Sequence, residues 1–221
     1  AALRFALARL GAVLVPINFM LNADEVAYIL RHAGAQTLFV GPDMLTLGRE
    51  AAGRDTRVTQ LLWLPGEDPG AAPADMTGFE QLLSDDASEP APALDSRMPA
   101  QIIYTSGTES LPKGAILTHE AVCWEYVSCV IEGEISATDT LLHALPLYHC
   151  AQLDVFLGPA IYVGASSVIT GKPTPDSILP LLARHRINSF FAPPSIWIAL
   201  MRAPAFDTTD LSALRKGYYG A

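Results

Sequence analysis

The residues with the clearest chemical potential lie in one short stretch, YTSGTESLPKG, at positions 104–114. Its hydroxyl groups can donate hydrogen bonds to an anion, and its glycines let backbone N–H groups approach that anion closely. A lysine adds positive charge, and the apolar run IIY predicts a strand that leads into the stretch. A loop of this composition is suited to hold a polyphosphate. The residues that supply these groups are Thr105, Ser106, Gly107, Thr108, Lys113 and Gly114.

The same stretch has two features that limit its interpretation. Glu109 would oppose a bound phosphate by like-charge repulsion if it pointed inward. The lysine lies between Pro112 and Gly114, whereas a Walker A motif needs glycine before the lysine and Ser or Thr after it. A P-loop NTPase is therefore disfavoured. Composition alone leaves open an ordinary polar hairpin, because Thr, Ser, Gly and Pro are common in turns.

Other candidate chemical groups have plainer explanations. His149 and Cys150 are adjacent, but neighbours on a strand point to opposite faces and cannot easily share a proton. Cys123 and Cys129 lack metal-site spacing, so we expect them in the core. Asp154 is predicted to be an N-terminal acid that favours the dipole of its helix. Core positions are also predicted for the aromatic residues Trp124, Trp197, Phe190 and Phe191.

The elements that must position these residues alternate between helical and strand patterns, which predicts an α/β fold with mixed or parallel sheets flanked by helices. Asn22 followed by Glu25 resembles a capping box at a helix start. Helices are predicted at 1–11, 23–33, 43–53, 77–83, 119–133, 152–163, 174–186 and 193–203. Strands are predicted at 12–17, 36–41, 57–64, 100–106, 115–118, 140–146, 166–170, 187–192 and 214–219.

Two Pro-, Ala- and acid-rich stretches interrupt this alternation between residues 65 and 99. Such composition is typical of loops and linkers. We therefore expect a first α/β segment at 1–64, a linker region with one short helix at 65–99, and a second α/β segment at 100–221. All three would belong to one truncated domain, because the sequence begins inside a helical pattern and stops without a polar tail.

Composition excludes several classes of protein. The 221 residues carry a net charge of −9 with only 14 Lys and Arg, which disfavours a nucleic-acid surface or a polybasic membrane patch. Three cysteines without CxxC spacing favour a reducing, cytoplasmic setting. The uncharged run at 155–171 approaches membrane-spanning length, but its Gly and Pro residues predict a buried helix, a turn and a strand.

Residues 102–114, IIYTSGTESLPKG, resemble the phosphate-binding signature of the adenylate-forming enzymes, which include acyl-CoA synthetases, nonribosomal adenylation domains and luciferases. Glu109 and Ser110 depart from the family pattern, which has Thr and Gly there. Five further stretches are similar to family segments in the same order, and the closest likeness is to bacterial fatty acyl-CoA ligases of the FadD type. These stretches are AVLVPIN, LTHEAV, LPLYHCAQL, FFAPPSIWIALM and LRKGYYGA.

The resemblance implies an acid–thiol ligase and the N-terminal domain of an acyl-CoA synthetase-like fold. A carboxylate attacks the α-phosphate of ATP to give acyl-adenylate and pyrophosphate, and coenzyme A then displaces AMP. Expected partners are ATP with Mg²⁺, coenzyme A and a carboxylate, most readily a fatty acid. No nucleic acid or membrane span is expected, and a homodimer is one arrangement the resemblance allows.

The resemblance also assigns roles to individual residues. Residues 105–108 and Gly114 would hold the phosphates, with the hydroxyl of Thr105 nearest Mg²⁺. Lys113 would offset the charge of the departing pyrophosphate, and His149 would lie beside the bound carboxylate. The adenine and acyl groups would contact Tyr219, Gly220 and Ala221.

Two alternatives remain open at the level of sequence. One is an aryl or amino-acid adenylating domain. The other is a nucleotide- or acyl-binding module without catalysis, for which Glu109 is the best support. The family's downstream glutamate, ribose-binding aspartate and adenylation lysine have no counterpart in these residues. We therefore expect the 221 residues alone to be inactive.

Overall fold

The computed structural model describes residues 1–66, 71–83, 88, 92–105 and 111–220. The chain forms two compact units, residues 1–119 and residues 120–221. The strand pair before residue 119 thus belongs to the first unit. The division into segments 1–64, 65–99 and 100–221 remains a prediction about the subdomains of the whole protein.

The first unit contains a parallel sheet, an antiparallel hairpin and flanking helices. Its parallel strands are arranged in the order β1-β2-β3, and β4 pairs with β5 in the hairpin. Its described helices are α1 (Ala2–Leu10), α2 (Ala23–Ala33) and α3 (Leu45–Ala52). Its described strands are β1 (Thr37–Val40), β2 (Gln60–Trp63), β3 (Thr77–Gly78), β4 (Pro99–Thr105) and β5 (Lys113–Thr118).

Helix α2 begins and ends as the sequence predicts. The Asn22 side chain accepts hydrogen bonds from the backbone N–H groups of Asp24 and Glu25, and the Glu25 carboxylate accepts one from the Asn22 N–H. Gly34 ends the helix at a φ of 67°, which glycine adopts without steric cost. The buried face of α2 packs in a cluster with Ala51 of α3. Local capping and apolar periodicity together therefore fix this helix.

Replacing Asn22 by alanine should lower the free energy of unfolding by about 1 kcal/mol, because two N–H groups of the first turn lose their acceptor. Asn22→Ser keeps an oxygen at the cap and should lose much less. Urea denaturation of the whole protein measures both variants. Equal destabilisation by serine and alanine would contradict a capping role.

The second unit is built around one parallel sheet with the strand order β7-β6-β8-β9. Residues Ala151–Leu157 form a π-helical segment that leads directly into α5. The described helices are α4 (His119–Glu132), α5 (Gly158–Val163), α6 (Pro175–Arg184) and α7 (Pro194–Arg202). The described strands are β6 (Thr140–His143), β7 (Ser166–Ile169), β8 (Ser189–Ala192) and β9 (Lys216–Tyr219).

The core of the second unit lies between the sheet and helices α6 and α7. Leu142 and Phe190 supply the centre of two adjacent strands, and Ile178, Leu179 and Leu182 cover them from α6. Each of these side chains is almost fully buried. Removing any of them would cost both the transfer free energy and a cavity term, about 2–5 kcal/mol for truncation to alanine.

Several sequence-based predictions differ from the structure. Residues 12–17 do not form a strand: Leu14 makes an isolated parallel bridge to Gln101. The helix predicted at 77–83 is β3 followed by a 3₁₀ turn at Phe79–Leu82. The strand predicted at 140–146 ends at His143. Trp124 is 64% exposed and is not in the core. In each case a short apolar run fits more than one structure, and tertiary neighbours decide between them.

Among the described residues, no helix combines the length and the apolar character that crossing a bilayer requires. The apolar run at 155–171 instead forms the end of the π-helical segment, α5, a turn at Gly164 and strand β7. This is the helix, turn and strand order that its Gly and Pro residues predict.

Candidate active site

The antiparallel hairpin brings Thr105 and Lys113 together. Thr105 is the last residue of β4 and Lys113 is the first of β5, and they are direct partners in the strand register. Direct partners in an antiparallel pair project from the same face, with Cβ atoms about 5 Å apart. Both residues are exposed. A hydroxyl and an ammonium group are therefore paired at the mouth of the loop.

Five residues between these strands lie outside the described residues: Ser106, Gly107, Thr108, Glu109 and Ser110. Their proposed roles in phosphate binding remain predictions. The same holds for the direction in which the Glu109 side chain points. What the structure does describe is how the two stems of the loop are held.

Gly114 lets the hairpin close tightly next to Lys113. It is the register partner of Tyr104. A Cβ atom at Gly114 would lie 2.9 Å from Cγ2 of Ile102 and 3.1 Å from Cζ of Tyr104. Any larger residue would push the Tyr104 ring away. Close packing within the hairpin therefore favours glycine at this position.

Helix α2 holds both stems of the loop. The Tyr28 hydroxyl donates to the carbonyl oxygen of Pro112 at 3.3 Å, and His32 Nδ1 lies 2.7 Å from the Tyr104 hydroxyl. Burial, with a smaller contribution from Tyr28, raises the pKa of the Tyr104 hydroxyl, so it stays protonated in this contact. Tyr104 precedes Thr105 and Pro112 precedes Lys113. We name this pair of contacts the α2 clamp.

Loss of one α2 clamp contact should weaken ATP binding. Tyr28→Phe removes a single partly buried hydrogen bond, worth about 1 kcal/mol, and should raise the KM for ATP about fivefold in the whole protein. The matched control is Tyr162→Phe, since Tyr162 is an exposed tyrosine of α5 in the other unit. An unchanged KM for ATP in Tyr28→Phe would show that the clamp does not shape the loop.

His149 lies at the start of the π-helical segment and is exposed. Its Nδ1 accepts a hydrogen bond from the Ala151 N–H at 3.2 Å, which satisfies one of the otherwise unpaired donors of a helix start. An Nδ1 that accepts leaves the proton of the neutral ring on Nε2. His149 can therefore present an Nε2–H donor to an anion such as a carboxylate.

Cys150 does not form a nucleophilic pair with His149. Its Sγ is 4.0 Å from His149 Nδ1, which is already engaged by the Ala151 N–H. Burial, followed by the charge of Asp154, raises the pKa of the Cys150 thiol. The thiol thus stays protonated, whereas a reactive cysteine needs a lowered pKa.

The parallel sheet of the second unit gathers candidate residues at one edge. His149 follows β6, whereas Tyr219 and Gly220 lie at the end of β9. Because the strands are parallel, their carboxyl ends share the edge where ligands of open α/β sheets bind. Tyr219 is 80% exposed, and a Cβ added at Gly220 would meet no atom within 4 Å. Ala221 lies outside the described residues.

Strand β9 is anchored to the turn that follows α4. The Lys216 ammonium binds the buried Asp139 carboxylate at 2.7 Å and also the Glu134 carbonyl oxygen. Burial opposes ionisation of Asp139, but hydrogen bonds from Lys216 and Ser136 more than offset it, so the pKa of Asp139 lies below its ordinary value. These contacts hold the strand that presents Tyr219.

An apolar groove of about 410 Å³ lies between α7 and β9. The indole N–H of Trp197 donates to the Tyr218 carbonyl oxygen at 2.9 Å and fixes one wall. The volume suits a small ligand, and the apolar lining suits a hydrocarbon group. The lining residues are Pro194, Trp197, Ile198, Met201, Gly217 and Tyr219.

Sequence reasoning missed a buried polar group behind His149. His143 and Gln152 were not singled out as functional, yet they are hydrogen-bonded to each other and at most 1% exposed. Asp154, predicted as an acid at a helix N-terminus, is fully buried in the π-helical segment. The sequence signal for this group was weak, because it consists of three polar residues in a strongly apolar stretch and their spacing matches no motif.

The comparisons with known proteins bear on this arrangement. The model of the family described as AMP-binding enzyme matches residues 1–221. The chain belongs to this family. This AMP-binding domain is 33% identical over 215 residues to an indoleacetate–CoA ligase of Aromatoleum aromaticum, covering 96% of the chain and 41% of the relative. It is 31% identical over 212 residues to the long-chain-fatty-acid–CoA ligase FadD13 of Mycobacterium tuberculosis, covering 96% and 40%.

The fold of this AMP-binding domain also has a close relative among solved structures. The inhibitor-bound N-terminal domain of FACL13 from Mycobacterium tuberculosis superposes with a TM-score of 0.83 and 27% identity, covering 99% of this chain and 53% of that chain. The predicted fold class is thereby confirmed. The chain spans about 40% of the length of the curated relatives.

The magnesium ion that the family resemblance implies can be tested against the donors present. Within the described ranges, no group of three or more His, Cys, Asp or Glu could hold a metal ion. Mg²⁺ commonly binds through one or two protein ligands together with substrate phosphates and waters. The exposed hydroxyl of Thr105 fits a single ligand of that kind, and the ion would offset phosphate charge.

Proposed function

We propose that the whole protein is an ATP-dependent CoA ligase that activates a carboxylate as an acyl-adenylate and transfers it to coenzyme A. The observation that carries this proposal is the pairing of Thr105 with Lys113 across the hairpin mouth in a chain that matches the AMP-binding family throughout. Such a pairing aims a hydroxyl and a positive charge at the same bound phosphate.

The residues of the chain take distinct roles in this proposal. The hydroxyls and N–H groups of residues 105–108, with Gly114, hold the phosphates and orient ATP for in-line attack. Lys113 offsets the negative charge that leaves with pyrophosphate. His149 donates its Nε2–H to the substrate carboxylate. Tyr219, with residues 220–221, borders the adenine and acyl groups.

For the carboxylate itself, we propose a fatty acid as the first candidate. The groove between α7 and β9 is lined mostly by apolar surface, which suits a hydrocarbon chain. A relative that is 31% identical acts on long-chain fatty acids according to its name. The location in a cytoplasm is part of the same proposal and rests on the free cysteines.

An aryl acid is the second candidate. The relative that is 33% identical is named for indoleacetate, and the groove contains the two aromatic residues Trp197 and Tyr219. Aromatic walls can stack on an aryl ring as readily as they cover a methylene chain. The shape of the groove does not distinguish a fatty acid from an aryl acid. A panel of substrates is therefore needed to decide between them.

The decisive experiment is an adenylation assay on the whole protein with palmitate, octanoate, benzoate and indoleacetate. Pyrophosphate release and thioester formation are measured with ATP, Mg²⁺ and coenzyme A. The highest kcat/KM with palmitate or octanoate supports a fatty acid ligase, and the highest with an aryl acid supports the second candidate. ATP binding without pyrophosphate release from any acid would instead indicate a non-catalytic binding module.

The 221-residue chain is expected to release no pyrophosphate with ATP and palmitate. It spans about 40% of its curated relatives, and the proposed reaction uses a glutamate and a lysine that the resemblance places further along the chain. Turnover by the 221 residues at the rate of the whole protein would contradict that division of roles.

A further inference from the structure

A buried chain of hydrogen bonds links β7, β6 and the π-helical segment. The His143 ring lies at its centre, with Nε2 3.1 Å from the Ser167 hydroxyl and Nδ1 2.7 Å from the Gln152 side-chain nitrogen. The Gln152 side-chain oxygen accepts from the Leu145 N–H at 3.3 Å. His143 is 0% exposed and Gln152 is 1% exposed. Water therefore does not compete for these bonds.

The direction of each bond follows from the groups involved. The Leu145 N–H can only donate, so the oxygen of Gln152 must face it. The amide NH₂ of Gln152 then donates to His143 Nδ1, which must carry a lone pair. The ring proton consequently lies on Nε2 and is donated to Ser167. Burial, which lowers the pKa of His143 to about 4, agrees with a neutral ring.

The chain spans the turn that carries His149. Leu145 lies before the turn and Gln152 lies after it, so the Gln152 side chain ties both ends to each other and to the end of β6. Within the turn, the His149 N–H donates to the Pro146 carbonyl at 3.2 Å, and the His149 carbonyl accepts from the Gln152 N–H at 3.2 Å. These hydrogen bonds therefore hold the backbone that carries the exposed ring of His149, and the side-chain bonds among them are buried.

We propose that Gln152 and His143 are positioning residues, which hold the turn 145–152 so that His149 meets the substrate carboxylate at the carboxyl edge of the sheet. The inference rests on the proposed function of the whole protein. Beyond that function, we infer that the carboxylate site at His149 depends on the buried amide of Gln152 and the neutral imidazole of His143, neither of which touches the substrate.

Gln152→Met tests the inference in the whole protein, because methionine has a similar size but neither donates nor accepts these bonds. The turn loses its fixed position, and a displacement of about 1 Å can lower a rate about 100-fold. We expect kcat/KM for the carboxylate to fall about 100-fold. The KM for ATP should change less than about twofold, because the α2 clamp holds the phosphate loop within the first unit.

Gln36→Met is the matched control, since Gln36 is exposed and the chemical change is identical. It should leave both constants unchanged. A general loss of stability in Gln152→Met would lower the amount of folded enzyme and therefore the apparent kcat for both substrates. Urea denaturation gives the folded fraction under the assay conditions, and recovery of the wild-type kcat/KM per folded protein would overturn the positioning role. Wild-type kinetics in Gln152→Met would overturn it too.

A second measurement reads the protonation of the ring in the wild-type protein and uses a variant only to assign the signal. Selective ¹⁵N labelling of histidine in the wild-type whole protein reports which ring nitrogen carries the proton. We expect a ring with Nε2 protonated and Nδ1 unprotonated at pH 7, assigned to His143 by its response to Ser167→Ala. The opposite tautomer, or a charged ring, would overturn the proposed chain of bonds.

The two proposals can fail separately. If the wild-type protein activates no carboxylate, the proposed function fails, whereas the tautomer measurement still tests the buried chain. If the wild type is active and Gln152→Met matches it, only the positioning inference fails.

Discussion

Lys113→Ala is expected to lower the rate of pyrophosphate release by the whole protein about 1,000-fold. Removing one donor aimed at developing charge typically costs 100- to 1,000-fold in rate, and Lys113 supplies a full positive charge rather than a dipole. In the proposed reaction, its position opposite Thr105 at the hairpin mouth places it where it would offset the charge that leaves with pyrophosphate. Release of pyrophosphate with saturating ATP measures the effect.

Two variants make the Lys113 result specific. Lys113→Arg keeps the charge but changes its shape, so it should recover part of the activity. Lys172→Ala removes an exposed lysine of the second unit and should leave the rate unchanged. A rate within threefold of wild type in Lys113→Ala would show that Lys113 has no role in the reaction and that its hairpin is an ordinary turn.

Acidification from pH 6.5 to pH 4 should lower the free energy of unfolding through His143 by about 3 kcal/mol. Burial lowers the pKa of His143 from 6.5 to about 4 in the folded protein. Between these values the unfolded chain binds a proton that the folded protein does not bind. Stability therefore falls as the pH decreases through this window and is unaffected by His143 above it.

Urea denaturation of the whole protein at pH 7, 6, 5 and 4.5 measures this dependence. His143→Asn removes the titrating group, so its unfolding free energy should be lower at pH 7 but should fall less steeply on acidification. His185→Asn controls for the loss of a histidine, because His185 is exposed. Identical slopes in wild type and His143→Asn would contradict the assigned role of burial.

The first unit shows both where prediction from sequence succeeded and where it reached its limit. Helix α2 was predicted correctly because its cap, apolar face and terminal glycine all lie within a few residues of each other. Residues 12–17 have the composition of a strand, but their pairing is confined to the bridge from Leu14 to Gln101. Strand formation requires a partner distant in sequence, and composition does not specify that partner.

For the candidate site, too, some features follow from the local sequence and others only from the tertiary structure. The sequence by itself determined the loop at 104–114 and its family, because the spacing of Thr105 and Lys113 is a local property of the chain. Only the tertiary structure decided how the α2 clamp holds that loop: Tyr28 is 84 residues from Pro112, and His32 is 72 residues from Tyr104.

The buried chain behind His149 is the clearest product of tertiary structure. His143 and Ser167 lie outside the family-like stretches, Gln152 lies in LPLYHCAQL without an assigned role, and the three residue types are compatible with surface positions. Parallel pairing of β6 with β7 brings His143 within reach of Ser167, and the turn after β6 returns Gln152 to the ring. Sequence patterns encode short-range periodicity, whereas the satisfaction of a buried donor or acceptor depends on groups that meet only when the chain is folded.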